Sequence, residues 1–358
     1  MRKPTTSPLS SLGIELTLRP MESRAVARVP TGPGWQYEPK WDGFRCLAFR
    51  AGGEVEIKAK SGKSLARFFP EVLANLGALK QRAFVLDGEL TIARDGALSF
   101  DALQARLHPA ESRIRRLATE APATFVAFDC LLVKRGQPLL QAPLLQRRAV
   151  LQEAFGGSRA ETRGLLLTPY TRACDEAQTW LRGTESSFDG VIAKRLDLPY
   201  QPGERAMLKI KFLRSADCVV GGFRYETARR LVGSLLLGLY DAQGLLHHVG
   251  FTSSIPAAER PALTKRLEAL IAPPGFSGGQ PGGPSRWSNE RSSAWEPLRP
   301  SLVAEVRYDH VSGGRFRHGT KFLRWRPDKS PRQCTLEQLS QPRPARSVGG
   351  RRRLTVRS

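Results

Sequence analysis

The stretch YEPKWDGFR, residues 37–45, sets Lys40 two residues away from each of two acids, Glu38 and Asp42. On an extended chain, residues at i and i+2 share a face, so the three side chains are expected together. Two neighbouring carboxylates favour the ammonium form, and alone this is the pattern of a surface ion pair. A lysine attacks as a nucleophile only as the neutral amine, which needs further cations to offset the acids. Three candidates lie downstream. Lys194 sits near the end of DGVIAKR, residues 189–195, and Lys209 and Lys211 alternate in LKIK. Singly, such lysines read as a solvated strand edge. Gathered with Lys40 in one cleft they could cradle a triphosphate, and their mutual repulsion would lower the pKa of the one that acts.

Two further clusters fit such a cleft. Asp87-Gly88-Glu89 interrupts the apolar run FVLDGELTIA, residues 84–93. The i, i+2 spacing puts both carboxylates on one side, and the glycine allows a backbone or a ligand to approach. A polar Asp-Gly turn is the alternative. Phe128, in FVAFDCLL, reads first as a core aromatic and second as a platform for a purine. Near the C-terminal end, RFRHGTKFLRWRPDK, residues 315–329, interleaves basic and aromatic residues, a nucleic-acid-binding texture.

The whole chain is consistent with a polyanionic partner. Its 358 residues carry 56 Lys and Arg against 33 Asp and Glu, a net charge of +23, more than solubility requires. No apolar run approaches the ~20 residues needed to span a bilayer, and the first thirty residues hold no signal-peptide core. A soluble, cytoplasmic protein is expected. Five scattered cysteines with no CxxC pair, and no HExxH among the histidines, argue against a disulfide framework or a zinc site. A metal here is expected to be a hard ion held by carboxylates and phosphates.

These residues must be positioned by elements that can be read along the chain. FRCLAF and VEIKA predict strands joined at AGGE. LARFFPEVLANLGAL predicts a helix, FVLDGELTIA and TFVAFDCLLV buried strands, LLQRRAVLQEAF a helix, and DGVIAKR and MLKIKF short strands. After LRSAD, residues 213–217, the texture changes to short glycine-punctuated strands (CVVGGFRY, SLLLGLYD, LLHHVGF) typical of a small barrel. The expected organisation is α+β: a flexible lead over 1–18, a first domain over 19–212, a second over 213–339, and a disordered basic tail over 340–358.

In order and spacing, these motifs resemble those of the covalent nucleotidyltransferase superfamily, specifically ATP-dependent DNA ligases of the stand-alone bacterial LigC type, related to the ligase module of LigD. The resemblance runs from about Arg19 to Leu339. It implies an adenylation domain of antiparallel sheets with flanking helices, followed by an OB-fold barrel, with LRSAD as the hinge. It implies that Lys40 attacks the α-phosphate of ATP to form lysyl-AMP and that Glu38 reads the adenine amino edge. Arg45 would contact ribose or DNA phosphate, and Phe128 would stack on adenine. Glu89 and Asp189 would hold the sugar and a divalent metal, Mg2+ or Mn2+. Lys194, Lys209 and Lys211 would grip phosphate, while Arg326, Asp328 and Lys329 would orient pyrophosphate. The chain departs from the family in two places. Lys60, in Ala59-Lys60-Ser61-Gly62, stands where arginine is usual, keeping the charge but losing the planar fork. Asp189 stands where glutamate is usual.

The resemblance further implies that the protein works as a monomer on nicked duplex DNA in repair, with a separate primase-polymerase or a DNA end-binding protein as a further partner. Two other readings share these residues. An RNA ligase or capping-type nucleotidyltransferase would use the same Lys-x-Asp-Gly chemistry, and a non-catalytic OB-fold binder would bind nucleic acid without forming any adduct.

Overall fold

Alternating apolar residues in two groups of strands build two facing sheets in the first part of the chain. In the computed structural model, residues 7–94, 96–135, 137–157, 164–181, 188–282 and 294–340 are described, with the backbone of 343–344. The chain divides into two units, Met1–Lys211 and Phe212–Ser358.

In the first unit, β1 is Ser23–Ala25, β2 Trp35–Pro39, β3 Phe44–Ala51, β4 Glu54–Ala59 and β5 Ala83–Thr91, with a short hairpin of β6 (Ala93–Arg94) and β7 (Ala97–Leu98). They are followed by β8 (Thr124–Leu132), β9 (Leu165–Leu167), β10 (Gly190–Arg195) and β11 (Met207–Lys211). One sheet runs β4-β3-β5-β8-β9 and the other β1-β11-β10-β2. Most pairs are antiparallel, but β8–β9 and β1–β11 are parallel. The expected antiparallel sheets are therefore mixed, each ending in a parallel edge pair.

The larger sheet buries one face under helices α1 (Pro70–Gly77), α2 (Phe100–Arg106), α3 (Glu111–Glu120) and α4 (Leu144–Phe155). Cys46, Ala48, Leu86, Leu90, Phe125 and Ala127 meet Leu76, Leu103 and Leu151 there. The helix expected over residues 65–79 is a 3-10 turn at Ala66–Phe68 and then α1. Pro70 causes the break: it lacks an N–H and is tolerated only in a first turn. The other face of this sheet packs Leu47, Phe49 and Val85 with Met207 and Tyr200. Leu9, Leu12 and Ile14 join that cluster. The supposed flexible lead is thus, from Pro8 onward, a 3-10 turn at Pro8–Leu12 whose apolar side chains are buried.

The second unit contains β12 (Arg214–Tyr225), β13 (Val232–Tyr240), β14 (Leu246–Thr252), helix α5 (Arg260–Glu268), β15 (Glu296–Pro297), β16 (Val303–Tyr308), a hairpin of β17 (Val311–Ser312) and β18 (Arg315–Phe316), and β19 (Lys321–Trp325). The order is β14-β13-β12-β16-β19. Thr252, at the end of β14, meets Thr320, the residue before β19, through an isolated parallel bridge, supported by Thr252 Oγ1 donating to the Thr320 carbonyl at 2.9 Å. Five strands in this order, with a helix between the third and fourth, form the OB topology. Among the described residues this single bridge, and not a ladder, links the two ends of the sheet.

Of the expected hinge, only Leu213 lies outside a strand; Arg214–Asp217 are laddered to Tyr308–Glu305. A strand must keep its φ/ψ to keep its hydrogen bonds, so these four residues are poor pivots. The expected basic tail lies mostly outside the described residues; its backbone at Arg343–Pro344 pairs with β12. Among the described residues, no helix is long and apolar enough to cross a membrane.

Candidate active site

A cleft of about 530 Å³, open to solvent, lies between the two sheets of the first unit, lined in part by Lys40, Arg45, Glu89, Phe128, Ile192 and Lys194. Cross-strand register explains the convergence, because residues opposite each other on antiparallel strands point to the same face. On the smaller sheet Glu38 opposes Ile192, which opposes Lys209, while Lys194 opposes Gln36 and Gly190 opposes Lys211. The other face of that sheet is apolar, with Tyr37, Val191, Ala193, Leu208 and Ile210 in one cluster. On the larger sheet Arg45 opposes Glu89.

Lys40 does not pair with Glu38. β2 stops at Pro39, and the Lys40 ammonium donates to Asp189 Oδ2 at 2.9 Å. The backbones of these two residues also lock together, Lys40 N–H to the Gly190 carbonyl and Asp189 N–H to the Lys40 carbonyl, both at 2.9 Å. Gly190 makes this approach possible. Its φ is +148°, and a Cβ there would lie 2.0 Å from the Ile210 carbonyl oxygen, which no other residue tolerates.

Glu38 turns inward instead. Its carboxylate lies 2.7 Å from Lys194 Nζ, with both side chains 3% exposed, and accepts from Gln36 Nε2 at 2.8 Å. The Lys194 ammonium also sits 4.5 Å from the centre of the Phe128 ring, and the Arg45 guanidinium lies 4.4 Å from that centre. Phe128 occupies a register shift: Asp87 opposes Asp129 and Gly88 opposes Ala127, leaving Phe128 as the extra residue of a bulge. A bulge re-aims a side chain, and here the ring lines the cleft. Sequence alternation alone does not reveal that shift.

Arg45 is anchored by a residue that was singled out without a role. Asp87 is fully buried and takes both Nε and Nη2 of Arg45 at 2.6 Å. Tyr200 donates a third hydrogen bond to it at 2.6 Å, and Arg45 also donates to the Met21 carbonyl at 3.2 Å. Burial alone would lower the arginine's pKa, but the Asp87 carboxylate outweighs it and the guanidinium titrates above its ordinary value. Gly88 serves packing: a Cβ would lie 2.6 Å from both the Phe125 ring and the Val126 carbonyl. Glu89 behaves differently from Asp87. Burial pushes its carboxyl up to about 7, against the opposing pull of Arg45 and Lys40.

The phosphate-type cations surround Lys209, whose pKa is lowered by burial and then by Lys211, Lys40, Lys60 and Arg205. Lys60 is 58% exposed and reaches Glu22 at 3.0 Å. Lys60 is the main cause of that carboxylate's lowered pKa. No motif marked Glu22, Gln36 or Tyr200: Gln36 shares β2 with Glu38, two residues away, whereas Glu22 and Tyr200 arrive at the site through the packing of distant segments.

Comparison with known proteins shows the family. The family model for the ATP dependent DNA ligase domain matches residues 20–211, and that for the ATP dependent DNA ligase C terminal region matches residues 228–329. The chain belongs to the ATP-dependent DNA ligases. It is 44% identical to DNA ligase C2 of Mycolicibacterium smegmatis over 92% of this chain and 96% of that protein. It is 43% identical to DNA ligase C of Mycobacterium tuberculosis over 90% and 94%. A more distant relative is the multifunctional non-homologous end joining protein LigD of Mycolicibacterium smegmatis, 28% identical over 85% of this chain and 37% of that protein. A solved structure from a study of Lig E DNA ligases shares the fold, with a TM-score of 0.51 and 18% identity over 86% of this chain and all of the other.

In the second unit of the ligase, the three residues expected to orient pyrophosphate form one cluster. Arg326 forks onto Asp328, with Nε to Oδ1 at 2.9 Å and Nη2 to Oδ2 at 2.8 Å. Its Nη1 and the Lys329 ammonium each reach Asp217, at 2.8 Å.

Proposed function

We propose that this ligase seals nicks in duplex DNA in three transfers, with Lys40 as the nucleophile. Its support is a lysine bonded to Asp189 that lines the cleft between the two sheets, together with an aromatic ring and a cluster of cations. In the first transfer the amine attacks the α-phosphorus of ATP. The P–N bond forms, the P–O bond to pyrophosphate breaks, and the leaving oxygen keeps the electron pair. Asp189, already hydrogen-bonded to Nζ, orients the amine and is placed to take its proton. In the second, a 5′-phosphate oxygen at the nick displaces the lysine from the adenylyl phosphorus. In the third, the 3′-hydroxyl attacks the 5′-phosphorus, and AMP departs with its bridging oxygen.

Phe128 offers a face for the base and Glu38 the acceptor for its amino edge. Glu38 is now held by Lys194, which makes Lys194 a partner of the base-reading acid as well as a cation for phosphate. Lys60, Lys209 and Lys211 offset the phosphate charge, and Arg326, Asp328 and Lys329 orient pyrophosphate. Arg45, held by Asp87 with its guanidinium over the Phe128 ring, would contact the ribose or the DNA phosphate. A divalent cation, Mg2+ or Mn2+, suits the hard oxygen donors Glu89 and Asp189; when bound, it would favour the ionised form of Glu89 that burial opposes and would stabilise negative charge on phosphate oxygens.

The relatives named for end joining support a repair role, with a separate primase-polymerase or end-binding protein as recruiting partner. A cytoplasmic monomer is the form in which we expect it to act. Intact mass after incubation with ATP and Mg2+ tests the central claim. One AMP must appear on the wild-type protein, map to Lys40, and be absent from Lys40→Ala. An adduct on another residue, or none, overturns the assignment.

A further inference from the structure

We infer that Asp217, on the first strand of the barrel, is a positioning residue for the first transfer: it fixes Arg326 and Lys329 as a pair with set spacing. This rests on the reading of those two cations as the pyrophosphate-facing pair.

Asp217 lies outside the RPDK sequence by more than a hundred residues, yet it is the point on which that sequence is built. Its side chain is 0% exposed, whereas those of Arg326 and Lys329 are 16% exposed. Each cation takes a different oxygen, Arg326 Nη1 on Oδ1 and Lys329 Nζ on Oδ2, at 2.8 Å. The backbone of Asp217 is clamped in turn. Its N–H donates to Gln338 Oε1 at 3.1 Å, and its carbonyl accepts from Gln338 Nε2 at 3.1 Å. Its place on β12 is fixed by pairing with Glu305, whose carboxylate takes Arg324 Nε at 2.6 Å.

The physical consequence is a division of labour among the donors of Arg326. A carboxylate sealed from water cannot be left without its cations except at high cost, so the Asp217 contacts are the permanent ones. Arg326 meets Asp328 through its other edge, and Asp328 is 59% exposed, so that contact is cheap to exchange. The guanidinium edge of Nε and Nη2 and the remaining protons of Lys329 are therefore what the pair can offer to a phosphate. Without the buried carboxylate, two like charges would be forced together with nothing between them and would separate.

The test uses the full-length ligase with two assays. One measures the rate of enzyme–AMP formation against ATP concentration; the other measures sealing of a nick already carrying AMP on its 5′-phosphate. Asp217→Asn is expected to slow enzyme–AMP formation by roughly tenfold or more, while sealing of the pre-adenylated nick stays within about twofold. Adding Lys329→Ala to it should cost less than the two single effects combined, since coupled residues are not additive. If Lys329→Ala is impaired but Asp217→Asn forms enzyme–AMP at the wild-type rate, or loses both activities equally, the inference is overturned and the reading of the motif stands. If Lys329→Ala itself forms enzyme–AMP normally, the reading of the motif fails and the inference with it. Should Asp217→Asn not fold, judged by its melting curve, Asp217→Glu decides. That variant keeps the charge but moves it by one methylene, and it must slow enzyme–AMP formation selectively; wild-type rates in both assays overturn the proposal.

Discussion

The Glu38 carboxylate and the Lys194 ammonium lie 2.7 Å apart beneath Phe128, sealed from solvent on adjacent antiparallel strands. This pair replaces the expected contact between Glu38 and Lys40. The Lys194 ammonium is poorly aligned for a hydrogen bond to its partner, so the attraction is chiefly that of two buried opposite charges.

Breaking such a pair leaves one charge stranded. Lys194→Met is expected to destabilise the protein by about 3–5 kcal/mol, read as a fall in the urea midpoint. Glu38→Gln in the same background should recover a substantial part of that loss, because no carboxylate is then left buried alone. A double variant as unstable as the sum of the two single changes would show that the pair is not coupled.

Glu89 gives stability a pH dependence opposite in sign to that of an ordinary carboxylate. Its folded pKa of about 7 is above the 4.5 of the unfolded group. Between these values the folded state binds more protons, so the contribution of this group to stability falls as pH rises from about 4.5 to 7. In metal-free buffer, Glu89→Gln should therefore raise the melting temperature relative to wild type more at pH 7.5 than at pH 5. An equal shift at both values would show that Glu89 ionises normally in the fold.

His248, on β14, contributes with the other sign. Burial, with repulsion from Arg315 and Arg224, lowers its pKa from 6.5 to about 3, and its Nδ1 lies 2.7 Å from Arg315 Nη2. A neutral imidazole accepts that hydrogen bond; a protonated one cannot. Between pH 3 and 6.5 the unfolded state binds more protons, so the contribution is full above pH 6.5 and lost progressively toward pH 3. The stability of His248→Gln should consequently fall less steeply between pH 7 and pH 4.5 than that of the wild type. Matching pH profiles in thermal melts would contradict the buried neutral state.

The sequence by itself marked the candidate site. Lys40, Asp189, Glu89 and the downstream lysines are legible because they stand in short motifs with fixed spacing. The strands carrying them were legible because alternation with a period of two survives in FRCLAF, FVLDGELTIA and TFVAFDCLLV. Tertiary structure decided which charge meets which. Local spacing set Glu38 beside Lys40, but cross-strand register joined it to Lys194 instead, a residue more than 150 positions away. The bulge that turns Phe128 into the cleft, the Asp87 anchor of Arg45 and the Asp217 seat of Arg326 and Lys329 are likewise products of strand pairing. Such partners lie far apart in the chain, and their pairing depends on register and burial, which no local pattern of residue types encodes.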